Sequence, residues 1–449
     1  MSSRKKPFSG KAKKQQLKEK RERNRQRRAI DSDDEDASKT EEVEEVVTPV
    51  QSGRGDLRTV FQAEPRSAIE KRKKDATRTL VYAADRGNSQ SIYEYGIHNQ
   101  ENQPPILLKP KWSLDLTPEE LIAAEDEAYR AWIHELETIQ VESGQRYNLF
   151  ERNIEVWRQL WRTVERSDVL VHLADARCPP LHLSRRLLDY IRDSFPSKRV
   201  IIVLTKADLV SPQRVMQWEA YVKDQLGDLT TVLSYNQTDA EHCNTSLLKL
   251  IGQTGLTIDR SQRDVLRRED EDTLTVGFVG EPNVGKSSLL NSVFERKLVS
   301  VSSTPGHTKH LQTHYFERVE LLECSSVFNR VLVCDCPGVV FPRLNVPVAL
   351  QILFGSFPIA QTREPYSAIR FIAENCDPPM DEIYKLTPVE EDDDEWTPYT
   401  LCEAYAKQRG FHIKGGRLDL HRAANLILRD TLNGQKVVLS FPPPALTVS

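Results

Sequence analysis

Short apolar runs separated by helical patterns fill the middle of the chain, from about residue 169 to residue 335. Apolar runs that alternate with helices predict an α/β fold with a mostly parallel sheet and helices on both faces. In such sheets ligands bind beyond the ends of the strands, so the residues after each run carry the chemistry. The runs are Val169–Ala174, Val200–Leu204, Thr230–Leu233, Thr275–Val279, Tyr315–Leu322 and Val331–Cys334.

Two helices are predicted before the first strand. Thr117-Pro118-Glu119-Glu120 supplies a cap residue, a proline in the first turn and a glutamate at the third helical position, which predicts a helix running to about Gln140. Apolar residues at three- and four-residue spacing between Phe150 and Val164 predict the second helix.

Beyond residue 345 the strand signals fade and helix signals return. Thr397-Pro398 predicts the start of one helix and Gly410 its end, and Asp419 and Gly434 bound another in the same way. We therefore predict four regions: a charged tail over 1–50, a partly helical extension over 51–145, the α/β domain over 146–345 and a mainly helical domain over 346–449.

Charge is concentrated at the start of the chain. The formal net charge of the 449 residues is only −4, but residues 1–30 carry thirteen Lys or Arg against two Glu, and residues 31–46 carry nine Asp or Glu against one Lys. Neither block has apolar periodicity, so we predict disorder in both when free. The basic run lacks aromatic side chains for base stacking, so we expect it to bind RNA phosphates without sequence preference. The same run predicts a nuclear or nucleolar location, with shuttling to the cytoplasm left open.

Composition excludes several classes of protein. No apolar run approaches the ~18 residues of a membrane span, and the charged N-terminus is not typical of a secretory signal, so we expect a soluble protein with no membrane partner. The seven cysteines are scattered and form no CxxC pair, which predicts buried thiols in a reducing compartment. We expect no oligomer.

The segment after the fourth apolar run matches a phosphate-binding loop. Residues 280–288 read GEPNVGKSS, the pattern GxxxxGK[ST] between a strand and a helix. In such loops backbone amides surround phosphate oxygens, the lysine lies between the outer phosphates, and the next hydroxyl reaches Mg²⁺. The predicted nucleotide-binding residues are Gly280, Glu281, Pro282, Asn283, Val284, Gly285, Lys286, Ser287 and Ser288.

A second motif predicts which base is bound. Thr205-Lys206-Ala207-Asp208 follows the second strand and resembles the guanine-reading [NT]KxD motif of GTPases. The Asp208 carboxylate would accept hydrogen bonds from N1 and the 2-amino group of guanine, whereas adenine offers an acceptor at N1 and lacks the amino group. Such sites reject a mismatched analogue strongly, by roughly 10⁴–10⁵. Ser234, at the end of the third strand, is predicted to help frame the base.

A third motif, Asp335-Cys336-Pro337-Gly338, follows the last strand and matches DxxG. In this motif the aspartate holds Mg²⁺ through water and the glycine amide contacts the γ-phosphate. Between the two loops, Thr308 is the predicted switch hydroxyl on Mg²⁺ and Thr304 its alternative. The predicted Mg²⁺ ligands are thus Ser287, Thr308 and Asp335.

The order of the motifs is permuted, because the base motif precedes Lys286 by 80 residues. The order, with Asp175-Ala176-Arg177, TKAD, GEPNVGKSS, the PGHT segment and DCPG, resembles the circularly permuted GTPases of ribosome assembly over about residues 150–366. The resemblance implies GTP hydrolysis, GTP and GDP as ligands, Mg²⁺, and association with ribosomal RNA or a pre-ribosomal particle. It implies a nucleotide-dependent switch in ribosome biogenesis.

We expect hydrolysis to be slow. Val339 stands directly after DCPG, where many GTPases have a glutamine that orients the attacking water. Resemblance to cation-dependent GTPases implies that the carbonyl oxygen of Asn283 ligates K⁺, and a hydrogen bond within its own turn is the alternative. The residues expected to act in catalysis are Lys286, Asn283, Thr308 and Gly338.

Three other functions remain open at this stage. A scaffold that binds RNA would carry the same basic tail with a weak nucleotide site, and an ATPase would share the phosphate loop. Within the family, a late cytoplasmic GTPase that acts in export and maturation of the large subunit would have similar motifs.

Overall fold

The computed structural model describes residues 59–82, 103–227, 230–259, 272–294, 312–316, 319–389 and 395–444. The predicted disordered tail, Thr304 and Thr308 lie outside these residues.

A six-stranded sheet forms the centre of the described part, in the order β3-β2-β1-β4-β6-β5. Five strands are parallel, and β5 runs antiparallel to β6 at one edge. The predicted mostly parallel sheet is confirmed. Its strands are β1 Val169–Asp175, β2 Arg199–Thr205, β3 Thr230–Ser234, β4 Thr273–Gly280, β5 Gln312–Phe316 and β6 Arg330–Asp335.

The helices lie before, between and after the strands. They are α1 Arg66–Asp75, α2 Pro118–Ser143, α3 Ile154–Arg166, α4 Arg185–Ser194, α5 Pro212–Leu226, α6 Ala240–Leu256, α7 Lys286–Val293, α8 Val348–Phe354, α9 Tyr366–Asn375, α10 Met380–Tyr384, α11 Pro398–Arg409 and α12 Leu420–Leu432. None of these described helices is long and apolar enough to cross a membrane.

The predicted helix caps are confirmed. The Thr117 hydroxyl accepts from the Glu120 amide at the start of α2, and the Glu120 carboxylate accepts from the Thr117 amide, which completes a capping box. Helix α11 ends at Gly410, which has a left-handed conformation with φ +65°.

Two sequence-based predictions were wrong in detail. Tyr315–Leu322 does not form one strand, because β5 ends at Phe316 and Val319–Leu322 is a 3₁₀ turn whose Val319 and Leu322 are buried. The second predicted helix starts at Ile154 rather than Phe150, because the Asn153 side chain caps it by accepting from the Glu155 amide.

Apolar side chains cover both faces of the sheet. On β1, Leu170 and Ala174 pack with helices on one face, while Val171 and Leu173 pack with α6 and α7 on the other. A third apolar cluster joins α8, α9, α11 and α12 to Cys178 and Leu181, which follow β1. The C-terminal helices therefore rest on the loop beyond the carboxyl end of β1. All seven cysteines lie in the described part as free thiols, and six are buried.

Candidate nucleotide-binding site

The phosphate loop connects β4 to α7 and has an unusual backbone. Asn283 and Gly285 both have positive φ, +60° and +100°. Gly285 caps the amino terminus of α7, and Lys286 is the first residue of that helix. The loop therefore directs amides and the positive end of the helix dipole toward one point, as phosphate binding requires.

Lys286 pairs with Asp335, the last residue of the neighbouring strand β6. Asp335 is fully buried, and its Oδ1 accepts from the lysine, whereas its Oδ2 has no hydrogen-bond partner. A buried carboxylate oxygen without a partner is costly unless a ligand satisfies it. The structure thus brings together the predicted phosphate-binding lysine and the predicted Mg²⁺-binding aspartate, with one oxygen left over.

Gly338 lies directly against the phosphate loop. A Cβ atom at this position would lie 2.8 Å from the backbone nitrogen of Pro282. The amide of Val339 donates to the carbonyl of Gly280 at 3.3 Å. Only glycine fits at 338, and the DxxG segment is held close to the phosphate loop.

The base motif lies at the end of β2, on the other side of β1 from the phosphate loop. The Thr205 hydroxyl lies within hydrogen-bond distance of the Val284 carbonyl in that loop and of the Ala174 carbonyl, at 3.1 Å, and its single proton is shared between them. Lys206 has φ +56°, and Asp208 lies exposed in the following 3₁₀ turn. The two loops are therefore joined by a direct contact, and Asp208 is accessible to a ligand.

The residues that contact this motif from the end of β3 differ from the expected one, Ser234. The Ser234 hydroxyl donates to the Glu219 carboxylate at 2.6 Å rather than facing the base motif. Backbone groups of the next residues contact the motif instead: the Ala207 amide donates to the Tyr235 carbonyl at 3.1 Å, and the Gln237 amide donates to Asp208 Oδ1 at 3.2 Å. A role for the Ser234 side chain at the base stays a prediction.

Comparison with known proteins adds independent information. The model of the family described as "50S ribosome-binding GTPase" matches residues 275–366. Guanine nucleotide-binding protein-like 1 of Macaca fascicularis is 30% identical over 542 aligned positions, which cover 98% of this chain and 86% of that protein. The chain belongs to the guanine nucleotide-binding protein-like 1 family. It is a GTPase with a circularly permuted P-loop domain.

Two further proteins are similar to this chain. The large subunit GTPase 1 homolog of Drosophila melanogaster is 32% identical over 404 positions, covering 76% of this chain and 65% of that protein. The crystal structure of GNP-bound YlqF from T. maritima is 23% identical, with a TM-score of 0.40, over 64% of this chain and 99% of that one. The alignment with guanine nucleotide-binding protein-like 1 covers more of both chains than the alignment with the large subunit GTPase, so it favours membership of the former family.

In this family member the phosphate loop also contacts the residues that flank α8. Glu281 is buried, pairs with Arg343 and accepts from the Ser356 hydroxyl at 2.5 Å. Asn283 Nδ2 donates to the carbonyl of Gly355 at 2.8 Å. Sequence reasoning missed Arg343 and Ser356, because their partners lie 62 and 75 residues away along the chain.

Histidines close to this network are neutral. Burial lowers the pKa of His172 to about 3, and the charge of Arg343 acts in the same direction. Burial also lowers the pKa of His182, against the opposing charge of Glu281. At neutral pH these imidazoles therefore add no charge beside Lys286 and Arg343.

Proposed function

We propose that the protein binds GTP with Mg²⁺ at the phosphate loop, hydrolyses it slowly, and acts as a nucleotide-dependent switch in ribosome assembly. The observation that carries this proposal is the pairing of Lys286 with Asp335 at the ends of adjacent strands, with Asp335 Oδ2 unpartnered. This arrangement is typical of a phosphate-binding lysine beside a carboxylate that binds a metal ion.

The residues present fit Mg²⁺. Mg²⁺ prefers oxygen ligands and binds through one or two protein groups together with water and phosphate oxygens. Ser287 and Asp335 supply a hydroxyl and a carboxylate, and Thr308, outside the described residues, is the third candidate. Mg²⁺ bound there would neutralise charge on the phosphate oxygens.

The protein side chains would act by positioning and by charge. Lys286 leaves Asp335 to contact the outer phosphates, the amide of Gly338 contacts the γ-phosphate, and Asp208 accepts from the guanine base. Val339 is buried and apolar, with 2% of its surface exposed, so it orients no water. Because phosphoryl transfer depends on positioning and electrostatic stabilisation, we expect slow turnover without a partner.

The test is Mg²⁺-dependent GTP turnover by wild type and Lys286→Ala. We expect the variant to lose at least about 100-fold in turnover, as removal of a phosphate-stabilising group implies. Lys249→Ala is the matched control, because Lys249 lies in α6 and forms an exposed ion pair with Glu323, which follows the 3₁₀ turn Val319–Leu322. Equal turnover in wild type and Lys286→Ala would contradict the proposal, and would favour an RNA-binding scaffold.

Ribosome assembly is proposed from the relatives. The matching family is described as a 50S ribosome-binding GTPase, and one relative is named large subunit GTPase 1 homolog. We propose that the partner is ribosomal RNA or a pre-ribosomal particle, bound partly through the basic tail of residues 1–30. Nuclear or nucleolar residence is proposed from the same basic tail. If deletion of residues 1–30 changes neither RNA affinity nor localisation, both proposals are wrong.

A further inference from the structure

Asp175 links the base motif to the rest of the molecule. It is the last residue of β1, lies beside Thr205 in register, and is fully buried. Its Oδ2 pairs with Lys206 Nζ at 2.8 Å. Arg177 binds the same carboxylate at two points, with Nε 3.0 Å from Oδ1 and Nη2 2.7 Å from Oδ2. The lysine of the base motif is therefore fixed through Asp175 and Arg177.

Arg177 reaches beyond Asp175 to the end of α12. Its Nη1 donates to the carbonyl of Thr431 at 3.0 Å, and its guanidinium lies 5.0 Å from the ring centroid of Phe354. Carbonyl groups at the carboxyl end of a helix have no helical partner and carry partial negative charge, so they favour a cation. Because only 1% of the Arg177 side chain is exposed, water does not weaken these contacts.

The same end of α12 contacts the base motif at a second point. Gly434 follows the helix with φ +64°, and a Cβ atom there would lie 2.5 Å from Cδ1 of Leu209. Leu209 comes directly after Asp208. We call residues 431–434 the carboxyl-terminal turn of α12. This turn thus contacts Leu209 directly and reaches Lys206 through Arg177 and Asp175.

We propose that the carboxyl-terminal turn of α12, acting through Arg177, positions Lys206 and Asp208 and so determines how strongly the site prefers guanine. Arg177 and Gly434 are positioning residues and do not touch the nucleotide. The physical reason is that one carboxylate must meet two donors of the base at once, and this requires placement to within about 0.5 Å. The inference rests on the proposed reading of guanine by Asp208.

The test compares GDP with inosine diphosphate, which lacks the 2-amino group of guanine. Displacement of a fluorescent GDP analogue gives both affinities. We expect wild type to prefer GDP by about 10- to 100-fold, the effect of one hydrogen bond to a charged group. In Arg177→Lys the planar fork is lost, so one amine cannot hold both Asp175 and the Thr431 carbonyl, and we expect the preference to fall about tenfold.

A second pair of variants leaves the contacts of Arg177 with Asp175 unchanged. Gly434→Ala and Gly410→Ala place a Cβ on backbones of nearly equal φ, +64° and +65°. The added atom meets Leu209 at position 434 and nothing within 4 Å at position 410. Backbone strain is therefore matched, and only Gly434→Ala should reduce the preference for GDP.

The outcomes separate the inference from the function on which it rests. If wild type shows no preference and Asp208→Ala changes nothing, the proposed reading of guanine is wrong. If Asp208→Ala abolishes the preference while Arg177→Lys and Gly434→Ala keep it, the positioning inference is overturned. An equal loss of affinity for both nucleotides in these two variants would also overturn it, because that result indicates a merely structural role.

Discussion

Asn283 makes a contact that bears on its catalytic role. Its Nδ2 donates to Gly355, 72 residues away, and not across its own turn. With Nδ2 bound to that carbonyl, Oδ1 is the atom of Asn283 that would ligate K⁺ in the expected site. A monovalent cation there would add positive charge beside the phosphates.

We expect K⁺ to accelerate GTP turnover relative to Na⁺ at equal ionic strength, and this stimulation to disappear in Asn283→Ala. Asn345→Ala is the matched control, because Asn345 also has a left-handed backbone, with φ +58° against +60°. Equal GTP turnover by the wild type in K⁺ and in Na⁺ would contradict the proposal. A stimulation that survives in Asn283→Ala would place the cation elsewhere.

Glu151 is a buried carboxyl outside the nucleotide-binding motifs, and we expect it to make stability depend on pH. Burial raises its pKa to about 7, although amides including those of Val60 and Asn153 donate to it. Its Oε2 has no hydrogen-bond partner. Because the folded-state pKa is raised, the protonated group stabilises the fold below pH about 4.5, and this stability is lost as the pH rises through about 7.

Glu151→Gln should abolish this pH dependence. The change from 4.5 to about 7 corresponds to about 3 kcal/mol. We expect wild type and variant to be about equally stable at pH 5, and the variant to be more stable by about 1–3 kcal/mol at pH 8. Urea unfolding, followed by tryptophan fluorescence, measures the free energy of unfolding of both proteins. Because both have the same histidines, the effect of histidine titration is the same in each and drops out of the difference. A constant difference between pH 5 and pH 8 would refute the assignment.

At the scale of elements, the C-terminal helices should respond to the nucleotide. Gly355 and Ser356 follow α8 and bind Asn283 and Glu281 of the phosphate loop. A ligand shifts a conformational equilibrium only through contacts that differ between its two states, and the γ-phosphate supplies such a difference at Gly338.

We expect amide hydrogen exchange over residues 350–373 to differ between the forms bound to a GTP analogue and to GDP. Helix α2, whose capping box lies away from the loop, serves as the internal reference. Identical protection over residues 350–373 in both forms would reject the coupling.

Local signals predicted most of the elements. The start of α2 and the end of α11 follow from their own residues, since Thr117, Glu120 and Gly410 act within one turn. The break between β5 and the 3₁₀ turn did not follow, because Phe316, Val319 and Leu322 are all buried and their spacing predicts one apolar run. Pattern shows that a side chain is buried but not which backbone conformation buries it.

The site was predictable where its motifs are contiguous, as in residues 280–288 and 205–208. The contact of Glu281 with Arg343 depends on how segments distant in the chain pack together, so composition and motif spacing do not predict it. The Arg177 contact with the Thr431 carbonyl is a similar case, because a backbone acceptor carries no sequence signal.

At the scale of the whole molecule, the central claim is that one site is assembled in permuted order. Asp208 lies 78 residues before Lys286 and 127 residues before Asp335. The order of β2, β1, β4 and β6 in the sheet nonetheless brings the three motifs to one edge. Parallel strands have their carboxyl ends at that edge, so we expect the nucleotide to be bound by both halves of the chain.

The most direct measurement is the base preference of wild type and Asp208→Asn, with Asp239→Asn as an exposed control. Xanthine carries a carbonyl at C2 where guanine has an amino group, so an amide at position 208 can donate to xanthine where the carboxylate accepted from guanine. The account predicts that wild type and control bind GDP more tightly than xanthosine diphosphate and ADP. It also predicts that Asp208→Asn binds xanthosine diphosphate more tightly than GDP. A variant that keeps the guanine preference would contradict it.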